Sequence, residues 1–170
     1  MEDEVGLTFP SDYREWLTRY TEVQLDGFLY IIHPGGRPEK SALTQAREML
    51  DPLVFVTEDL DPIWLVGDQG GGAEVNPFPV YPNPGGLYPW GVTDNGDTCL
   101  WLTDQDPEKW TVVITDGADW WQFKGSFSDF LVGLLKGLAV CPIFPRRFPG
   151  SAHIEEISEE DLNSRAECDL

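Results

Sequence analysis

The stretch from Tyr88 to Asp104 constrains this chain more than any other. Two apolar runs, Tyr88-Pro89-Trp90-Gly91-Val92 and Cys99-Leu100-Trp101-Leu102, flank Asp94-Asn95-Gly96-Asp97. Asn-Gly readily supplies the two positive-φ residues of a type I′ turn, so the pattern predicts a tight β-hairpin. Past the turn, side chains alternate with period two, which puts Cys99, Trp101 and Thr103 on one strand face and Leu100, Leu102 and Asp104 on the other. Both faces carry bulk, so the strand is expected to be central in its sheet and covered on two sides.

The flanking segments extend this hairpin. Trp110 to Thr115 and Asp119 to Lys124 read as two further strands, joined by Asp116-Gly117-Ala118, and such short connections predict an antiparallel meander. Ser126, with Asp129 three residues on, is a capping-box variant that opens a helix. Phe127, Phe130, Leu131, Leu134 and Leu135 are its apolar face, and Lys136-Gly137 marks its end. Adjacent Trp120 and Trp121 must point to opposite faces of their strand, so each needs separate cover. A helix, the proline-rich loop or another molecule can supply it.

Upstream, Tyr13, Trp16, Leu17 and Tyr20 stand at helical spacing behind Ser11 as a candidate N-cap, with Leu7 and Phe9 as anchors before it. Phe28 to Ile32 reads as a buried strand closed by His33-Pro34-Gly35-Gly36. Residues 39–50 form a second helical pattern that Pro52 is expected to end, followed by strands over Val54–Val56 and Ile63–Val66. From Gly67 to Pro89, glycine and proline predict an extended loop lying against the sheet. The expected fold is therefore α+β: one mainly antiparallel, mixed sheet with a C-terminal meander, flanked by about three helices. Residues 5–150 are expected to form a single domain. Residues 151–170, with seven carboxylates against Arg165, are expected to be an acidic, fraying tail with at most a short helix near Glu156 to Arg165.

Charge bounds the partners. Thirty acidic residues against 11 basic ones give a net charge of −19. That excludes a Lys/Arg footprint for nucleic acid or anionic membrane, and makes a basic partner the natural complement. The first residues, Met1-Glu2-Asp3-Glu4-Val5, lack the basic and apolar regions of a signal peptide, and no apolar run is long enough to span a bilayer. A cytoplasmic location is expected. Cys99, Cys141 and Cys168 form no Cys-x-x-Cys pair and read as free thiols.

No cofactor, metal or catalytic signature is present. Gly70-Gly71-Gly72 is not followed by Lys-Ser/Thr, which argues against a phosphate cradle, and the hairpin acids do not have EF-hand spacing. Neither a Ser-His-Asp order nor a His-Glu-x-x-His pattern occurs. Carboxylates in turns commonly bond their own backbone, and that is the plainest reading of Asp94, Asp97, Asp104, Asp106, Asp116 and Asp119. The same residues also suit docking of a basic surface.

Two stretches resemble the SUKH superfamily, which includes the yeast Smi/Knr-type cell-wall regulators and many bacterial immunity proteins. Leu7-Thr8-Phe9-Pro10-Ser11-Asp12-Tyr13-Arg14-Glu15-Trp16-Leu17 is similar to the family's opening Leu-Pro-x-x-Tyr-x-x-Phe-Leu helix. Leu87 to Asp97, followed after two strands by Gly125-Ser126-Phe127-Ser128-Asp129-Phe130-Leu131, is similar to its closing segment and to actinobacterial members in particular. The Asn-Gly-Gly that often follows the first helix is replaced by Tyr20-Thr21-Glu22-Val23-Gln24, so that loop must take another shape. The resemblance implies a non-enzymatic binding protein of the immunity type, whose partner is a cognate protein toxin, often a nuclease. A regulatory scaffold or a small-molecule-binding module of the same fold is the alternative. The residues expected to engage a basic partner are Trp90, Asp94, Asn95, Asp97, Trp101, Asp104, Asp106, Asp116 and Asp119.

Overall fold

A computed structural model describes residues 2–34, 41–59, 62–151 and 153–157, with 55–59 described through their backbone. Cys168 and the rest of the tail beyond Ile157 lie outside these residues. Among these residues, helices α1 (Glu2–Val5), α2 (Ser11–Leu17), α3 (Ala42–Asp59) and α4 (Phe127–Leu135) accompany nine strands. The strands are β1 (Glu22–Leu25), β2 (Leu29–Ile31), β3 (Ile63–Val66), β4 (Gly72–Val75), β5 (Leu87–Thr93), β6 (Thr98–Leu102), β7 (Thr111–Thr115), β8 (Asp119–Phe123) and β9 (Ile154–Ile157). They form one open sheet in the order β4-β3-β8-β7-β6-β5-β2-β1-β9. Every pairing is antiparallel except β3 with β8, so the fold is α+β with a mixed, mainly antiparallel sheet. Strands β5 to β8 are the expected meander.

Strand β6 is the middle strand, and its alternation divides the core. Cys99 and Trp101 enter a large cluster with Tyr13 of α2 and Phe127, Phe130, Leu131 and Leu134 of α4. Leu100, on the opposite face, joins Leu50 and Leu53 of α3, Val80 and Trp120, with Phe78 and Leu102 packed alongside. Trp120 and Trp121 fall into different clusters and are both buried. The proline-rich segment therefore covers a sheet face, as its apolar residues suggest.

Helix α4 starts on the expected capping box, with the Ser126 hydroxyl accepting from the Asp129 N–H and the Asp129 carboxylate accepting from the Ser126 N–H. It ends in a Schellman turn: Leu138 N–H donates to Gly133 O and Gly137 N–H to Leu134 O, with Gly137 at φ 65°.

Several expectations are corrected. Ser11 is not the N-cap of α2, whose cap position is Pro10 with no side-chain bond. Instead the Ser11 N–H and hydroxyl both donate to the Glu108 carboxylate, a long-range substitute for a local cap. Helix α3 does not stop at Pro52 but runs through it, taking in the segment expected to be a strand at Val54–Val56. An interior proline costs about 3 kcal/mol. Beyond the proline, burial of Leu53 returns about 1.5–3 kcal/mol and the half-buried Val54 packs alongside it, which offsets that cost and carries the helix on.

The segment after α2 holds strand β1, whose hairpin with β2 turns on Asp26 (φ 50°) and Gly27 (φ 67°), the positive-φ pair of a type I′ turn. Strand β4 forms within the glycine-rich stretch expected to be loop. At the other end of the sheet, residues 154–157 pair with β1 as β9 rather than fraying or turning helical. The Asp26 carboxylate fixes that segment, accepting from the Gly150 N–H, the Ser151 N–H and the Ser151 hydroxyl.

Strand β5 contains Pro89 and tolerates it through a register shift between Pro89 and Gly91. At that shift the strand runs tight against β2: a Cβ on Gly91 would lie 2.6 Å from the Tyr30 carbonyl oxygen. Gly91→Ala is expected to lower unfolding stability by about 1–3 kcal/mol, because a backbone oxygen in a ladder cannot give way cheaply. Urea denaturation with an unchanged m-value measures this, and a loss below about 0.5 kcal/mol would show that β2 and β5 can separate locally.

Candidate interaction surface

Successive turns of a meander emerge at alternate ends of the sheet, and this sorts the candidate residues. The β5–β6 turn (Asp94 to Asp97) and the β7–β8 turn (Asp116 to Ala118, leading into Asp119) share one end, since Thr98 pairs with Thr115. Turns separated by two strand spacings stand about 10 Å apart. The β1–β2 turn lies beside them, with Asp94 N–H donating to Phe28 O. The start of β3 completes this rim, with Trp64 in register with Asp119.

Asp94, Asn95, Asp116 and Asp119 are exposed there. Asp116 organises its own turn, its Oδ1 accepting from the Ala118 and Asp119 N–H groups at 2.9 and 2.8 Å. None of Asp94, Asp116 and Asp119 pairs with a cation among the described residues; the ion pairs described there join Arg19 to Glu15 and Lys109 to Asp106.

The other five candidates are placed elsewhere. Trp90 and Trp101 are fully buried, so neither presents a surface to a partner. The Trp90 indole N–H donates to Leu100 O at 2.9 Å, and Trp101 is enclosed by rings, the nearest being Tyr13 at 4.6 Å between centroids. Their bulk belongs to the core because the sheet face they occupy is covered by α2 and α4. Asp104 and Asp106 are exposed but at the opposite end, in the β6–β7 connection. Asp104 accepts from the Asp106 N–H, and Asp106 accepts from the Glu108 N–H at the start of a 3-10 turn over Pro107–Lys109. They are turn formers.

Asp97 is 5 % exposed and also structural. The hairpin loop is not the two-residue type I′ turn expected from Asn95-Gly96. It is a three-residue loop in which Gly96 alone takes a positive φ, 90°, after a turn closed by Gly96 N–H to Thr93 O. Thr93 and Asp97 bracket it: the Thr93 hydroxyl donates to the Asp97 carboxylate at 2.7 Å and accepts from the Asp97 N–H at 3.1 Å.

The exposed tryptophan is Trp64, 43 % accessible, which sequence reading did not single out. The signal was available, since Ile63-Trp64-Leu65 alternates and only Ile63 and Leu65 could share the second core cluster. Burial holds both described thiols protonated, pushing Cys141 up to about 12 and Cys99 well above its ordinary value, so neither is an activated nucleophile. No group of three or more metal-ligating side chains occurs among the described residues, and none of their helices is long and apolar enough to cross a membrane.

Burial raises the Asp97 carboxyl above its ordinary value, the Thr93 hydrogen bond opposes this, and the charge on Asp116 adds to it. A raised folded-state value means that the folded protein holds the proton more tightly than the unfolded chain does. The contribution of Asp97 is therefore fully present below the ordinary carboxylate range, about pH 3.9, and is lost as pH rises through the folded-state value. Asp97→Asn, which keeps an acceptor for Thr93 and removes the charge, should match or exceed the parent Tm at pH 7 and lose that advantage near pH 3. Asp97→Ala should lose about 1–3 kcal/mol by stranding the Thr93 hydroxyl. Thermal melts across that range test both, and an Asn variant less stable at pH 7 than at pH 3, relative to the parent, would contradict the assignment.

No curated protein and no solved structure matches this chain. A family model described as SMI1-KNR4 cell-wall (SUKH_6) matches residues 1–131, from α1 through the first half of α4 and including all of the meander. The chain belongs to that family, SUKH_6 of the SMI1-KNR4 cell-wall group.

Proposed function

We propose that this is an immunity-type binding protein that neutralises a cognate toxin domain by covering a basic surface on it, without performing catalysis. The single observation that carries the reading is the row of exposed carboxylates Asp94, Asp116 and Asp119 along one end of the sheet, which pair with no cation among the described residues, in a chain with a net charge of −19. Membership of the SUKH family is consistent with a role in binding another protein. A nuclease domain is the partner class that best complements the rim, because its substrate-binding surface must be cationic to hold phosphates. Asn95, exposed between Asp94 and Gly96, adds an uncharged hydrogen-bonding group at the same tip. The Asp97 charge lies behind them and contributes field rather than contact.

The mechanism is electrostatic steering followed by steric occlusion. Carboxylates without cation partners project their field into solvent and raise the encounter rate with a basic partner, and salt removes that advantage as the screening length falls from about 30 Å at 0.01 M to about 3 Å at 1 M. With a purified cognate toxin domain as the binding partner, Asp94→Lys with Asp116→Lys is expected to slow association at least about tenfold at low salt. At 1 M salt the variant and parent rates should converge. Stopped-flow association across a salt series measures this. Salt-independent association with equal rates for the two proteins would remove the electrostatic mechanism.

A further inference from the structure

Strand β4 ends the sheet and pairs with β3 alone among the described residues. Its outer row of N–H and C=O groups has no partner there, which is the template that an added strand uses. Edge strands are usually blunted by lysine, proline or a bulge. Gly72-Ala73-Glu74-Val75 is short and carries one charge, Glu74, but it has neither lysine nor proline and pairs with β3 in unbroken register. The opposite edge differs: β9 presents Glu155 and Glu156 and is held at its start by the Asp26 contacts.

The edge at β4 also carries an aromatic anchor. Trp64 is in register with Glu74 on β4 and with Asp119 on β8, and paired residues project from the same face about 5 Å apart. Its indole leans over the edge strand: a Cβ on Gly72 would lie 2.7 Å from two indole atoms, so only glycine lets the ring settle there. The outcome is a partly exposed indole whose register neighbours on both sides are exposed carboxylates, next to an open row of backbone hydrogen-bonding groups. A cation over such a ring is attracted by its quadrupole, and both flanking charges have the right sign to hold it.

We infer that the β4 edge is a docking site for an extended, basic segment of another protein, which adds as a tenth strand and places a Lys or Arg over Trp64 between Glu74 and Asp119. Charge decides against a second copy of this chain as the occupant. Edge-to-edge pairing of two copies would bring two Glu74–Trp64–Asp119 faces together between molecules that each carry −19. This inference stands on β4 and Trp64 and does not require the partner to be a toxin.

The test uses the whole protein and a short synthetic peptide of alternating Lys and Val, capped at both ends, followed by amide chemical-shift and hydrogen-exchange measurements. The peptide is expected to shift the amides of residues 72–75, to protect the alternate ones that point away from β3, and to shift the Trp64 indole N–H. Methylating alternate backbone nitrogens of the peptide should abolish the protection, and replacing its Lys by Glu should abolish binding. Trp64→Ala should weaken the peptide about fivefold, the scale of one exposed cation–π contact, while leaving the rest of the spectrum unchanged. Equal binding of the methylated peptide, or shifts confined to the turns at Asp94 and Asp116, would overturn the strand-addition site. So would concentration-dependent protection of residues 72–75 without peptide, which would identify a second copy as the occupant. Because no toxin enters the experiment, its failure leaves the association kinetics at the turn end unaffected as a separate question.

Discussion

Trp101 is the residue on which the rest of the structure closes. Six aromatic rings lie with their centroids 4.6 to 6.5 Å from its own: Phe9, Tyr13, Tyr88, Trp90, Trp110 and Phe127. They come from the approach to α2, from α2 itself, from β5, from the lead into β7 and from α4. No subset of these segments encloses the indole alone, so its burial is realised only when the N-terminal helix, the hairpin and the closing helix are all in place. The enclosure is complete enough that the Trp101 indole N–H has no hydrogen-bond partner among the described residues. That omission costs about 1–3 kcal/mol, and the face and edge contacts of the ring outweigh it. The Ser11–Glu108 and Ser128–Asp12 hydrogen bonds fasten the same segments at their rims, α2 to the β6–β7 connection and α4 to α2.

Packing both faces of the sheet has a consequence for function. The meander is covered by α2 and α4 on one side, and by Leu50 and Leu53 of α3 with Phe78 and Val80 on the other. A partner therefore cannot reach the middle strands through either face. What remains accessible is the set of turns at each end of the sheet and the outer edges. Of the two ends, the one bearing Glu108 is occupied with internal work, capping α2 and ordering the 3-10 turn, and its Asp106 is matched by Lys109 at 3.4 Å. The end bearing Asp94, Asp116 and Asp119 is left with its charge unmatched among the described residues.

Much of this was legible in the chain because local and global signals agree there. The bulk on both sides of Cys99-Leu100-Trp101-Leu102 forces a central strand, and Ser126 with Asp129 forces a helix start. The failures occurred where a local rule met a competing long-range term. Pro52 reads as a stop until the stripe of Ala46, Leu50 and Leu53 is counted as one buried face. Ser11 reads as a cap until a glutamate 97 residues away supplies the bond. Asp26-Gly27 is a hairpin signal as good as Asn95-Gly96, and it turned out to adopt the type I′ geometry that Asn95-Gly96 did not. The candidate site was only half legible, since grouping all the turn acids ignored that antiparallel strands deliver successive turns to opposite ends. A tryptophan count, likewise, does not tell which ring lies beyond the reach of the helices.

Trp64 shows what decides that last point. It projects in the same direction as its register partner Asp119 and as Trp121, one residue-pair further along β8. Trp121 is buried against Phe130 of α4, whose ring centroid lies 5.9 Å away, whereas Trp64 is left partly open. Helix α4 is nine residues long, roughly 13 Å at 1.5 Å per residue, and its apolar stripe is spent on Trp90, Trp121 and Phe123. Among the described residues the sheet is nine strands wide, about 38 Å across at 4.8 Å per spacing, so a helix of that length leaves its margins uncovered. At β9 the margin is filled by acidic residues, while at β3 and β4 it is filled by an indole lying over a glycine. The exposed ring thus follows from the mismatch between a wide sheet and short covering helices, and the absence of Cβ on Gly72 leaves the room that the indole and the Leu65 carbonyl occupy beside the edge strand.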